Sequence, residues 1–149
     1  VQYRLIALKE AQELGYAEAN PSFDIEGIDA ACKLVILANA IMSMRAKLSD
    51  VEIVGITRIT PEAIELARED GYLVKHVAQI EEGVLEVSPR LVDEKSPLAV
   101  GGTLNVVSVS TDLAGEFTVI GRGAGEETVS AVLNDLIDIW LERRRALAK

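Results

Sequence analysis

The spacing of apolar residues is helical over three segments before residue 71, the last two separated by an apolar segment, and alternates from there to about residue 120. Helical spacing covers Tyr3–Leu14 and ends at Gly15, a residue type that terminates helices readily. A second helix, apolar on almost every side, is predicted from about Gly27 to Met44 or beyond, and such a helix has to be buried. A third, Pro61–Asp70, starts after the hydroxyl of Thr60.

Strands are predicted from one apolar segment before the third helix and from segments separated by turn residues after it. The predicted strands are Glu52–Ile59, Tyr72–Ile80, Val84–Ser88, Thr103–Ser110 and Gly115–Ile120. A hairpin turn joins the second and third of them, and Pro89–Pro97 is predicted to be a charged connection. A final helix closes the chain. This order predicts an α+β fold, with a mixed, largely antiparallel sheet covered by helices.

Composition limits the classes of partner. The 149 residues fit a single domain, 1–149, and no apolar run approaches the ~20 residues that span a membrane. A net charge of −9 argues against nucleic acid and anionic membranes, which are bound chiefly through Lys and Arg. Cys32 is the only cysteine, which indicates a reducing, cytoplasmic compartment. No His, Cys and carboxylate cluster has metal-ligand spacing, and the single His76 alternates onto the apolar side of its strand.

The densest set of ionisable residues lies between Gly15 and Lys33, at the entry to the apolar helix. Asp29 and Lys33 are four residues apart, so their side chains project from one helix face and can touch. Asp24 precedes the helix, where a carboxylate can accept from free backbone N–H groups. Two interpretations remain open on spacing alone: a capped helix start with one ion pair, or a functional site.

The same segment resembles the signature of the homoserine dehydrogenases, enzymes that interconvert L-aspartate 4-semialdehyde and L-homoserine with NAD(P)H in threonine and methionine biosynthesis. The matching positions, in chain order, are Ala11, Gly15, Tyr16, Glu18, Asn20, Pro21, Asp24, Ile25, Gly27, Asp29 and Lys33. The likeness continues through Ile59–Glu62 (ITPE), Pro97–Ala99 and the GRGAG segment. It departs at Ser96, where the family usually has histidine.

The resemblance implies roles for individual residues. Lys33 would stabilise the charge that develops on the aldehyde oxygen and deliver a proton, and Asp29 would orient Lys33 or share in the proton transfer. Glu18, Asp24 and Tyr16 would line the substrate pocket. Two alternatives stay open: reduction of another small amino-acid aldehyde at the same site, and a non-catalytic dimeric binding or assembly module.

The family also implies an N-terminal dinucleotide-binding domain, and no strand followed by GxGxxG occurs in this sequence. NAD or NADP is therefore expected to bind mainly to a domain outside this chain, with the final helix returning toward it. Gly123 and Gly125, in a strand-to-helix turn, are candidate cofactor contacts, although Glu126 and Glu127 would repel a phosphate. A homodimer is expected because Thr103–Ser110 carries valines on both faces and the sheets of two subunits meet there in the family.

Overall fold

The chain forms two units, residues 1–99 and 100–149. The computed structural model describes residues 6, 9–10, 12–13, 20–123 and 126–147, apart from the side chains of 126–128 and 147. The described positions before residue 20 are helical. The later helices are α1 (Ser22–Ile25), α2 (Ile28–Ile41), α3 (Pro61–Glu69) and α4 (Glu126–Leu147). The strands are β1 (Val51–Ile53), β2 (Tyr72–Glu81), β3 (Val84–Asp93), β4 (Leu104–Thr111) and β5 (Gly115–Arg122).

The first unit is built on a three-stranded sheet in the order β1-β3-β2. β2 and β3 form the predicted antiparallel hairpin, closed by Glu82 and Gly83 with positive φ angles of 50° and 84°. Two consecutive positive φ angles match the twist of the flanking strands and so favour a tight hairpin. β1 pairs parallel with the other side of β3. The predicted α+β class and mixed, mostly antiparallel pairing are confirmed.

The core of this unit lies between α2 and the sheet. One face of α2 packs against residues of β1 and β3, and the buried members of this cluster are Ala31, Leu34, Ala38, Val51, Leu85 and Val87. The prediction that α2 is buried on nearly every side is wrong, because Ile36 and Ile41 are more than half exposed. Two of the three buried residues of α2 are alanines, which let the helix approach the sheet closely.

The α2 helix also ends earlier than predicted, at Ile41 and not near Met44. The side chain of Asn39 accepts a hydrogen bond from the Ala46 N–H at 2.8 Å and donates one to the Ala46 carbonyl at 3.0 Å. Ser43 has a φ of 54°, a left-handed conformation that an α-helix cannot accommodate. The chain therefore turns back toward β1 as soon as the helix has passed the core.

Two predicted strand boundaries are wrong. The strand expected over Glu52–Ile59 stops at Ile53, and a 3₁₀ turn, Ile56–Arg58, follows Gly55. Residues 89–93, predicted as part of a charged connection, instead continue β3 to Asp93. The strand tolerates Pro89 because β1 pairs only with residues 85–87, so that edge of β3 needs no donor at residue 89.

The second unit contains an antiparallel β4–β5 hairpin and α4. The predicted strands Thr103–Ser110 and Gly115–Ile120 are confirmed within two residues at each end. In α4, the Arg144 guanidinium lies 4.8 Å from the ring centre of Trp140, a cation–π distance. None of the helices within the described residues combines the length and apolar character that crossing a bilayer requires.

Candidate functional site

Lys33 and Asp29 meet on the first two turns of α2, as their spacing predicts. The Lys33 ammonium donates to the Asp29 carboxylate over a distance of 2.6 Å. The Lys33 side chain keeps 65% of its surface exposed and the Asp29 side chain 48%, so both groups can still reach a ligand. Asp29 also lies in the first turn of the helix, where the helix dipole favours a negative charge.

Asp24 lies in the short helix α1 and is exposed. The expectation that its carboxylate caps the following helix is wrong: the N-cap of α2 is Gly27, and no side chain caps it. Instead, the Asp24 main-chain carbonyl accepts from the Gly27 N–H at 3.2 Å. Among the residues that the structure describes, the Asp24 carboxylate has no hydrogen-bond or ion-pair partner. It therefore remains available to a ligand.

Gly27 joins α1 to α2 in a way that only glycine permits. Its φ of 84° lies in the left-handed region, and it is buried against β2 and β3. A Cβ atom at this position would lie 2.6 Å from His76 Cε1 and 3.1 Å from Val87 Cγ1, both too close. The junction of α1 and α2, residues Ile25–Gly27, is thus pressed against the sheet.

The loop after β1, Val54–Gly55, contacts the same junction. A Cβ atom at Gly55 would lie 2.8 Å from the Ile25 carbonyl oxygen. The Val54 N–H donates to the Val87 carbonyl at 2.7 Å, and the His76 Nε2 atom donates to the Val54 carbonyl at 2.9 Å. Sequence analysis missed this contact. Gly55 inside an apolar run was the available signal, since glycine in a strand often marks close approach of another backbone.

The remaining predicted site residues are Tyr16, Glu18, Gly123 and Gly125. Tyr16, Glu18 and Gly125 lie outside the described residues. Gly123, in the second unit, follows β5, and the Asn105 side chain fills the space that a side chain at Gly123 would need. In the described part of the GRGAG turn, Gly123 therefore serves close packing against Asn105.

The stretch Asp24–Lys33 carries one cation, Lys33, and three carboxylates, those of Asp24, Glu26 and Asp29. An ammonium held by a carboxylate can donate a proton to, or stabilise, an oxyanion of a ligand. A separate carboxylate with no partner among the described residues, that of Asp24, suits a ligand ammonium group. The set Asp24, Asp29 and Lys33 is chemically matched to a small molecule that carries both an amino group and a reactive oxygen.

Comparison with known proteins identifies a family. The model of the homoserine dehydrogenase family matches residues 5–137. The homoserine dehydrogenase of Methanocaldococcus jannaschii is 58% identical over 135 residues, which cover 90% of this chain and 40% of that protein. A crystal structure of an Archaeoglobus fulgidus protein assigned to the homoserine dehydrogenases matches with a TM-score of 0.82 and 57% identity, covering 89% of this chain and 41% of that one.

Two further relatives are named with a cofactor. An NAD(+)-dependent homoserine dehydrogenase of Pseudomonas canavaninivorans is 40% identical over 140 residues, covering 89% of this chain and 40% of that protein. A hyperthermophilic archaeal homoserine dehydrogenase mutant, solved in complex with NADPH, matches with a TM-score of 0.74 and 33% identity, covering 91% of this chain and 40% of that one. The chain thus spans about two fifths of the length of these relatives, and it belongs to the homoserine dehydrogenase family.

Proposed function

We propose that this chain carries the substrate site of an NAD(P)-dependent homoserine dehydrogenase, which interconverts L-aspartate 4-semialdehyde and L-homoserine. The observation that carries the proposal is the exposed Lys33–Asp29 pair, at 2.6 Å, together with an exposed Asp24 carboxylate on the preceding helix that has no partner among the described residues. Membership of the family supports the choice of substrate.

Lys33 acts on the carbonyl oxygen of the aldehyde. When bound, the reduced nicotinamide cofactor supplies the hydride to the aldehyde carbon. Negative charge then develops on the aldehyde oxygen, where the Lys33 ammonium stabilises it and delivers a proton. Asp29 holds the ammonium group through the 2.6 Å hydrogen bond, which fixes one of its three N–H groups and leaves the others for the substrate. In the reverse direction, Lys33 accepts the proton from the homoserine hydroxyl.

Carboxylates at the entry to α2 anchor the other end of the substrate. Asp24 and, from the sequence match, Glu18 bind the α-ammonium group, and Tyr16 lines the same pocket. Hydrogen bonds between charged groups contribute about 1.5–3 kcal/mol each, enough to orient a substrate of this size. The exposed position of Asp24 supports this assignment.

The cofactor is assigned mainly to another domain. The relatives named with NAD(+) and NADPH support either nicotinamide cofactor. In this chain, the space beside Gly123 is filled by Asn105, which fits packing better than a phosphate cradle. We therefore assign residues 1–149 to a substrate-binding and dimerisation domain, with the dinucleotide bound mainly by an N-terminal domain.

A homodimer is part of the proposal. The β4–β5 hairpin places Val107 opposite Val119 and Val109 opposite Phe117, which makes one face of this hairpin apolar. Val119 is 68% exposed and Phe117 53% exposed in the single chain. A second copy of the same hairpin would cover this face with matching apolar side chains.

The proposal is tested with the longer polypeptide that it requires. Purified protein should oxidise NADPH or NADH when L-aspartate 4-semialdehyde is added, and should reduce NAD(P)⁺ with L-homoserine. Isothermal titration of residues 1–149 alone should show no micromolar binding of either cofactor. A folded longer polypeptide that turns over neither substrate would contradict the proposed enzyme and favour a non-catalytic binding module.

A further inference from the structure

Neither core packing nor a tight turn accounts for the contact between the Val54–Gly55 loop and the α1–α2 junction. We propose that Gly55 is a positioning residue of the substrate site: the absence of its side chain sets the position of Ile25–Gly27, and through it that of Asp24 and the start of α2. The inference rests on the proposed function, because it assigns Gly55 to the geometry of the Asp24, Asp29 and Lys33 set.

The backbone conformation at residue 55 does not require glycine. Its φ of −72° and ψ of 172° are ordinary extended values that every residue type adopts. Close approach is what requires glycine: an added Cβ would lie 2.8 Å from the Ile25 carbonyl oxygen and 3.0 Å from Glu26 Cα. Both atoms belong to main chain, so neither can swing aside as a flexible side chain would. Alanine at this position therefore tests the contact alone, without adding backbone strain.

The Val54–Gly55 loop is the less movable of the two partners. Val54 is tied to β3 by its N–H, at 2.7 Å from the Val87 carbonyl, and to β2 by its carbonyl, at 2.9 Å from His76 Nε2. An added methyl group would consequently push the α1–α2 junction away from the sheet. α1 is itself closed by main-chain hydrogen bonds such as that from the Ile25 N–H to the Pro21 carbonyl at 2.9 Å. It would move as one piece and carry Asp24 with it.

His76 links the two contacts. Its ring bonds to Val54 on one side, and on the other it lies where a Cβ at Gly27 would come within 2.6 Å of Cε1. The same side chain therefore holds the Val54–Gly55 loop in place and bounds the space available to Gly27. Loss of the imidazole should release the loop and leave room for the junction to settle, which makes His76 the natural second position to change.

Kinetics of the longer polypeptide measure the effect on the site. Gly55→Ala should lower kcat/KM by about tenfold or more, with a higher KM and a lower kcat, because small displacements of reacting groups are costly. Gly101→Ala is the matched control: no atom lies within 4 Å of its added Cβ, and its φ is not positive. The double variant Gly55→Ala/His76→Ala should recover part of the loss, because the loop can then yield. Parent-like kinetics for folded Gly55→Ala would overturn the inference.

Nuclear magnetic resonance of residues 1–149 separates this inference from the proposed function, because it needs no turnover. Gly55→Ala should shift the amide signals of residues 24–29 far more than Gly101→Ala does. His76→Ala, which adds no atom, serves if Gly55→Ala does not fold, and should shift the signals of Gly55 and Gly27 together. Changes confined to the neighbours of the substituted residue in sequence would overturn the positioning role, whatever the enzyme assay shows.

Discussion

The Lys33 ammonium lies 2.6 Å from the Asp29 carboxylate, yet about two thirds of the Lys33 side chain remains exposed. Exposed pairs spaced four residues apart on a helix stabilise it by only about 0.3–0.5 kcal/mol. Removing either charge should therefore leave the fold almost unchanged. The pair can be dissected by mutation without confusing loss of stability with loss of chemistry.

Lys33→Ala in the longer polypeptide should lower turnover by ~10²–10⁴, the range typical of general acid–base groups. Substrate affinity and the melting temperature should stay close to those of the parent. Asp29→Asn should also lower turnover, by less if it only orients Lys33. Steady-state kinetics and thermal melts of the variants measure both effects.

Lys9→Ala is the control, because Lys9 forms another exposed pair at the same spacing, 3.8 Å from Glu13. Its turnover should match the parent. A Lys33→Ala protein that melts normally and still reduces the semialdehyde near the parent rate would remove Lys33 as the proton donor.

Asp24→Asn should weaken substrate binding more than it slows the chemical step. Losing one charged hydrogen bond to the α-ammonium group corresponds to roughly a tenfold or greater fall in kcat/KM, mainly through KM. Glu26→Gln removes one charge from an exposed residue two positions away and should leave KM unchanged. Equal KM values for the two variants would show that Asp24 acts only through overall charge.

Val119→Lys should dissociate the proposed homodimer, because it places a charge in the middle of the apolar face of the β4–β5 hairpin. Ser110→Lys makes the same change in charge on the opposite face, beside its cross-strand partner Glu116, and should leave the dimer intact. Light scattering of the parent and both variants provides the comparison. A parent that is monomeric at high micromolar concentration would contradict the dimer directly.

Thr60→Ala should lower the free energy of unfolding by about 0.5–2 kcal/mol, because the Thr60 hydroxyl accepts from the Ala63 N–H at 3.2 Å and caps α3. Thr60→Ser keeps the hydroxyl and should retain most of the stability. Chemical denaturation at neutral pH measures both values. If the serine variant were as unstable as the alanine variant, the cap would not be the cause.

The start of α3 also gives a dependence on pH. The Glu62 backbone N–H, and next the Thr60 hydroxyl, hold the pKa of the Glu62 carboxyl below its usual range. A lowered pKa in the folded state contributes stability above the unfolded pKa, and this contribution is lost as the pH falls through the folded pKa. As the pH falls below about 4, the melting temperature of Glu62→Gln should therefore decrease less than that of the parent.

The features that were predicted correctly from the sequence are those signalled by residues close together in the chain. Thr60 and Pro61 identified the start of α3, and the turn residues between β2 and β3 identified the hairpin. The Asp29–Lys33 contact followed from helical periodicity alone. These features depend on residues a few positions apart, so tertiary packing had little to change.

What could not be predicted depends on residues far apart in the chain. Soon after β1 ends, Gly55 packs against the Ile25 carbonyl, and the continuation of β3 through Pro89 depends on how few residues β1 pairs with. The early end of α2 follows from two hydrogen bonds between Asn39 and Ala46. Each of these is a contact between segments, and apolar periodicity carries no information about which segment a residue will meet.

The mixed pairing of the central strand β3 implies an order of assembly. Its antiparallel partner β2 is joined to it by a two-residue turn, whereas its parallel partner β1 must first close a long loop that contains α3. Loop closure costs entropy, so the hairpin should nucleate early and β1 should dock late. Val54 and Gly55 directly follow β1, so the proposed substrate site would be completed only in that late step. Native-state hydrogen exchange should accordingly show the Val54 amide opening more readily than the hairpin amides, with the site as the first part of the unit to be lost.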